Sequence, residues 1–400
     1  MRRYRGAVVA VVVAIALSAC GTQGGSAVIR HATKPRPIST KRAVTTPTTT
    51  PTTTTPPKGW SIATIPDSSA PGSTSLVAIA CLSVSSCTAV GDAGSPLIES
   101  WNGSTWASVP GDTSPGASLS GISCAGATSC VAVGKATASG YGRTYSEVWN
   151  GNQWSSVAMP NRGAFLNELH AVACPLPTFC LAVGYYDEDG MSNYRPLVER
   201  WNGSSWSIDP SLDGSSARPN LVRITCLSSN FCMAVGASSD GSPFAASWDG
   251  TTWSVPDSGS QASGTLAGVS CTSPTLCIAV GEDGDGTDTW PLIESWNGSA
   301  WSVVLNETTN SSLTQGDFGS VSCTAQTACI AVGLSNYNSP TPLIESWNGT
   351  SWSRDRTPDS SAEPAASLTS VSCVSMSECV AIGYFGKPGS IDPFMEFTAP

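Results

Sequence analysis

One spacing governs what this chain can fold into. Cysteines recur in pairs with five residues between them, at Cys81/Cys87, Cys124/Cys130, Cys174/Cys180, Cys226/Cys232, Cys271/Cys277, Cys323/Cys329 and Cys373/Cys379. Each pair runs into Ala-Val-Gly or a close variant, such as Ala89-Val90-Gly91 or Ala381-Ile382-Gly383. Six times there follows Trp-(Asn or Asp)-Gly-x-x-Trp, at 101–106, 149–154, 201–206, 248–253, 296–301 and 347–352. The period of 43 to 52 residues is that of propeller blades and not of helical repeats.

Each unit predicts four short strands. The first ends at the first Cys, the second leaves the second Cys, and the third and fourth flank the Trp-x-Gly turn. Asn-Gly and Asp-Gly are strong hairpin signals, because a type I′ turn needs positive φ at both central positions. No segment of the head holds a helical period. The last copy is split: Pro393-Phe394-Met395-Glu396-Phe397 matches a third strand, and the missing fourth strand lies at Gly59-Trp60-Ser61-Ile62. An open solenoid caps its ends, whereas a ring is closed by such an exchange. The expected fold is therefore all-β: a seven-bladed β-propeller over 59–400, closed by the N-terminal strand, with one disulfide per blade.

Two cysteines across a five-residue hairpin loop can stand opposite each other about 4.5–5.5 Å apart at Cα, within disulfide reach. Zinc needs four converging ligands, which isolated pairs on separate blades lack. Closing so short a loop stabilises by roughly 2 kcal/mol. Disulfides imply an oxidising compartment. The formal net charge is −10 and speaks against a nucleic-acid partner. All 29 acidic residues lie in 59–400 with ten basic ones, so the preceding 58 residues carry +9 and the head −19.

Residues 1–19 read as a signal peptide, with Arg2, Arg3 and Arg5 before an apolar run at 7–17 that is too short to span a bilayer comfortably. Leu17-Ser18-Ala19-Cys20-Gly21 resembles the lipobox of bacterial lipoproteins, which implies lipidation of Cys20. Cys20 is also the cysteine left over from the pairs. Residues 20–58 are the lipidated Cys and a Thr/Pro-rich stalk, a composition that favours extended, solvated chain. The implied location is extracytoplasmic, on the outer face of a bacterial cytoplasmic membrane, with the membrane as one partner through the lipid.

Over 59–400 the combined Cys and Trp pattern resembles kelch-like and Asp-box-like propellers, and more closely the Cys- and Trp-rich repeat lipoproteins of actinobacteria. It lacks the paired glycines of kelch repeats, and it sets Gly directly after Asn or Asp, unlike the sialidase Asp-box. Enzymatic roles of those families therefore do not carry over.

A feature in every blade serves the blade, and a binding site breaks the symmetry. The paired tryptophans thus predict packing between blades rather than sugar stacking. Glu99, Glu147, Glu199, Glu294, Glu345 and Glu396 recur two residues before the hairpin Trp or its Phe397 equivalent, with Ala246 the exception, and predict a repeated structural hydrogen bond. The departures lie on the face that carries the second-to-third strand loops and the connections between blades. Blade 3 has the longest such loop, with Tyr185, Tyr186, Asp187, Asp189, Tyr194 and Arg195. Neighbouring connections supply Arg162 and Arg218, and inner strands supply His170 and Arg223, which are expected near the mouth of the central channel. In blade 5, Asp283, Asp285 and Asp288 stand close enough in sequence to suggest weak Ca²⁺ chelation, although the spacing is not that of an EF-hand. Trp290 lies outside the repeat positions and can stack on a ligand.

No cofactor is required by these readings, and no catalytic motif is present. The expected function is a monomeric, lipid-anchored binding or scaffold module for a cell-envelope protein or glycan. The alternative is an extracellular carbohydrate-active hydrolase or lyase, which needs two loop-face carboxyl groups about 5–10 Å apart in one pocket.

Overall fold

A computed structural model describes residues 59–64, 75–112, 114, 116–138, 140–256, 263–284, 288–305, 314–337, 339–357, 366–385 and 392–398, all within the compact unit Pro56–Pro400. The signal segment 1–19, Cys20 and the stalk to residue 58 lie outside the described residues. The architecture is an all-β propeller of four-stranded antiparallel sheets. The inner strands touch in a closed cycle, each against the inner strand of the next sheet.

The expectation of a seven-bladed propeller is corrected. Six blades are each built from one run of chain: blade 1 (75–108), blade 2 (117–156), blade 3 (166–208), blade 4 (220–254), blade 5 (263–305) and blade 6 (316–354). The remaining sheet is a composite of two distant segments. Ala366–Ser375, Glu378–Phe385 and Asp392–Thr398 supply three strands, and Trp60–Thr64 supplies the outermost. Its outer pair runs in register from Trp60↔Thr398 to Thr64↔Phe394. No hairpin joins those two strands, and no tryptophan pair faces across them, so it is not a seventh copy of the repeat. Trp60 is buried against Ile330, Val332 and Ile344 of blade 6, and its indole Nε1 donates to Asp355 at 3.4 Å.

Every inner hairpin carries a disulfide: Cys81–Cys87, Cys124–Cys130, Cys174–Cys180, Cys226–Cys232, Cys271–Cys277, Cys323–Cys329 and Cys373–Cys379, with Cα atoms 3.9–4.1 Å apart. This is closer than the expected spacing. The hairpin is not an open loop: pairing continues past the cysteines, as at Ser83↔Ser86 beyond Cys81↔Cys87, with a bulge between.

The cysteines stand directly opposite each other across the hairpin, as expected, but the second of each pair is also a core residue. Cys180, Cys232, Cys277, Cys329 and Cys379 are fully buried, and Cys87 and Cys130 nearly so. Each of these is the second of its pair and belongs to an apolar cluster of the core. The reason lies in the next strand. Cys87, Cys130, Cys180, Cys232, Cys277 and Cys329 stand directly opposite the first tryptophan of the third strand, as in Cys180↔Trp201 and Cys232↔Trp248. Directly opposed residues share a face, so the indole covers the sulfur. These cysteines are packing residues as much as cross-links. The disulfides set the propeller in an oxidising, extracytoplasmic environment.

The Ala-Val-Gly motif has a steric cause. The first two strands of each sheet slip register by one residue, for example between Leu76 and Ala78, and the bulge drives a first-strand carbonyl onto the glycine. A Cβ on Gly91, Gly134, Gly184, Gly236, Gly281, Gly333 or Gly383 would overlap that carbonyl oxygen.

The tryptophans do two jobs. The first of each pair donates its Nε1–H to a carbonyl in the Cys hairpin of its own blade, at 2.9–3.2 Å in all six blades. The paired rings pack at 5.5–5.8 Å between centroids. Each pair then joins an apolar cluster shared with the preceding sheet, as Trp201 and Trp206 do with Val131 and Val133 of blade 2. The core is therefore a ring of inter-blade seams. Four seams have a polar stitch that sequence reasoning missed. The serine before the first Cys accepts the N–H of the next sheet's first Cys, in Ser123–Cys174, Ser270–Cys323, Ser322–Cys373 and Ser372–Cys81, each at 3.0 Å.

Candidate binding face

The loops between second and third strands and the connections between blades form one face, and its departures from symmetry concentrate on blades 2 to 4. Asp187 and Asp189, expected as ligand groups, brace the blade 3 loop instead. Buried Asp187 accepts from the N–H groups of Asp189, Gly190 and Ser192, each at 3.1 Å, and Asp189 accepts from Met191 N–H and the Asn193 amide, each at 3.0 Å. Those bonds hold Gly190 and Ser192 at positive φ. Tyr186 is also buried, with the Arg162 guanidinium 5.3 Å over its ring. Arg162 in turn forms an ion pair with Asp213 of the next connection. Buried Asn167, which sequence reasoning passed over, fixes this region: its Oδ1 accepts from Arg162 and Gly163 N–H at 2.8 and 2.7 Å, and its Nδ2 donates to Gly163 O at 2.8 Å.

Around this braced base stand exposed apolar side chains: Tyr141, Phe165, Met191 and Tyr194. Tyr141 meets Phe165 edge to face at 5.7 Å, and Phe165 lies against Gly190 of the blade 3 loop. Tyr194 packs on Tyr185 at 4.7 Å, and Tyr185 on His170 at 5.1 Å, so aromatic rings run from the loop tip towards the channel. Beside them a cleft of about 490 Å³ is lined by Arg195, Asp213, Ser215, Arg218 and Ser239. Arg218 itself sits at φ 42°.

At the inner end, Glu168 accepts from Lys135 Nζ at 2.9 Å and from the Tyr185 hydroxyl at 3.1 Å. His170 Nδ1 lies 3.0 Å from the carbonyl of Leu221. A carbonyl only accepts, so Nδ1 carries the hydrogen and Nε2 is bare, 3.8 Å from Glu168. Burial lowers the His170 pKa against the opposing pull of Glu168, and the ring is neutral at pH 7. His170 and Arg223 both line the central channel.

The glutamate series does not make one repeated bond. Glu147 accepts from Asp112 N–H at 3.1 Å and the Tyr145 hydroxyl at 3.0 Å, whereas Glu199, fully buried, has no partner on either oxygen. Burial pushes Glu199 up to about 8 and Glu345 to about 7. The Glu396 side chain lies outside the described residues.

In blade 5, Asp285 lies outside the described residues. Asp283 is buried, Asp288 meets the Gln315 amide, and Trp290 is half-buried opposite Asp283 on the third strand. Among the described residues no three His, Cys, Asp or Glu side chains are grouped to hold a metal. A carboxylate pair unforeseen in the sequence lies nearby: the Tyr337 hydroxyl is 3.1 Å from Glu282 and 2.9 Å from Asp317. Desolvation, and then the neighbouring Glu282 charge, raise the Asp317 pKa against the Tyr337 bond.

No protein-family profile and no curated protein matches this chain. Solved propellers do. A structure of YCF48 bound to D1 peptide is similar with a TM-score of 0.55 and 13% identity, covering 85% of this chain and 97% of that one. YCF48 from Cyanidioschyzon merolae is similar at 0.50 and 14%, over 85% and 99% of the two chains. The WD40 β-propeller domain of Doa1 is similar at 0.51 and 12%, over 84% and 97%. At such identities the likeness is one of fold.

Proposed function

We propose that this chain is an extracytoplasmic binding module, anchored through lipidated Cys20, that presents the loop face of blades 2 to 4 to a cell-envelope protein. One observation carries the reading: Tyr141, Phe165, Met191 and Tyr194 stand exposed beside Arg162, Arg195 and Arg218 on rigidly braced loops. Aromatic, Met and Arg side chains are the residues enriched at protein interfaces and their hot spots, and pre-braced loops reduce the ordering cost of binding. This composition favours a protein over a glycan. The peptide bound to YCF48 shows that a propeller of this general shape can serve such a role, without assigning the partner here.

The test is affinity capture from envelope membranes with the full chain. A Tyr141→Ala/Phe165→Ala/Tyr194→Ala variant should lose the partner that the native protein retains. Variants on the opposite face, Leu82→Ala and Leu176→Ala, should keep it. Equal capture by both sets would reject the assignment. The hydrolase reading rests on Glu282 and Asp317 sharing one tyrosine hydroxyl, which puts their oxygens no more than about 6 Å apart, too close for an inverting pair and compatible with a retaining one. Release of reducing ends from envelope polysaccharide, abolished by Glu282→Gln and Asp317→Asn, would support it; no release would dismiss it.

A further inference from the structure

Arg223 is the odd charge of the channel. It lies on the inner strand of blade 4 and lines a cavity of about 130 Å³ with His170, Ser120, Ser320 and Ser370. That lining contains no carboxylate. Among the described residues Arg223 forms no ion pair, and its NH1 donates to the carbonyl of its neighbour Val222 at 3.1 Å. Desolvation is the cause that lowers its pKa, with no counter-charge offsetting it. Arg223 is half-buried, and a cation partly withdrawn from water is normally paired.

The neighbours favour an anion. Ser320 Oγ accepts the N–H of Val371, and Ser370 Oγ accepts that of Ile79. Their hydroxyl hydrogens have no acceptor among the described residues and are available to the cavity. His170 adds a polar edge whose Nδ1–H is already committed to Leu221. Glu168, the nearest acid to His170, is occupied by Lys135 and Tyr185 and lies outside the cavity lining. The cavity has room for a tetrahedral oxyanion together with water.

We propose that the central channel binds a small oxyanion, held by the Arg223 guanidinium and the Ser320 and Ser370 hydroxyls. A planar guanidinium donates two parallel bonds to an oxyanion, which an ammonium cannot do. The site is separate from the aromatic loop face and does not depend on the protein partner proposed above.

Sulfate is a suitable probe, because its charge is fixed across the working pH range. The full chain is titrated calorimetrically with sulfate at constant ionic strength, and thermal melting is followed in parallel. The native protein should bind one sulfate saturably. Arg223→Met should weaken that binding at least tenfold, while melting at no lower a temperature without sulfate, since an unpaired charge has been removed. Arg223→Lys should restore part of the binding, and it serves as the reading if the Met variant fails to fold. A sulfate effect on melting that rises without saturation, equal in native protein and variants, is the general excluded-salt effect and would overturn the proposal. So would the absence of saturable binding by the native protein.

Discussion

Glu199 offers the sharpest quantitative test of the seam between blades 2 and 3. Its carboxyl is fully buried with neither oxygen bonded, and Thr144, which lies against it, donates its hydroxyl to Pro160 O at 3.0 Å. Thr144 cannot donate that hydrogen to a carboxylate as well, but it can accept from a protonated one. Burial accordingly raises the pKa from 4.5 to about 8. A folded-state pKa above the unfolded one means the folded protein holds the extra proton. Stability is therefore full below pH 4.5, falls as pH rises, and levels off above about pH 8. At 1.36 kcal/mol per unit, the loss is on the order of 5 kcal/mol, less whatever relaxation or water entry recovers. Glu199→Gln keeps the shape and cannot ionise. Native protein and variant should melt alike near pH 4.5, and the variant should melt higher at pH 8.5, by roughly 2 °C per kcal/mol for a domain of this size. A melting difference that is the same at both pH values would refute the assignment of a protonated Glu199.

Two further outcomes follow from the fold. Gly236→Ala drives a methyl into the Asn220 carbonyl and should cost about 1–3 kcal/mol by denaturant melting, whereas Gly126→Ala, with open space around it, should be near neutral. Trp60→Ala removes the buried anchor of the composite sheet and should cost about 3–5 kcal/mol; a melting curve indistinguishable from the native one would refute its role in closing the ring.

What was legible in the sequence was whatever the repeat enforces locally. Disulfides, hairpins and strand order depend on partners a few residues apart, so spacing reveals them. The pairing of the segment at 60–64 with the last strand was visible too, although the count of seven blades drawn from it was not borne out. What escaped depends on neighbours farther along the chain. The burial of Cys180 comes from Trp201 on the next strand, which five-residue spacing does not register. Nothing near Ser123 announces that it accepts the Cys174 N–H across a seam. Nothing in the Glu series separates Glu147, which finds Asp112 N–H and Tyr145, from Glu199, which finds nothing. The candidate site divided in the same way. Loop length pointed to the blade 3 loop, but it could not tell bracing groups such as Asp187 from exposed ones such as Tyr194. Asn167 was missed because a short polar residue in an inner strand carries no signal of the connection it fixes.

The composite sheet also has a consequence for biosynthesis. Strand Trp60–Thr64 is among the first parts of the propeller to be made, and its partner, Asp392–Thr398, is among the last. The six continuous blades can each form a hairpin disulfide as they emerge. The ring cannot shut until residue 398 has arrived, so the outer strand must wait unpaired through the whole of translation and export. During that interval its free edge is open to misassociation. Final closure thus follows completion of the chain, and an early truncation should leave blades that are oxidised yet unable to form a ring.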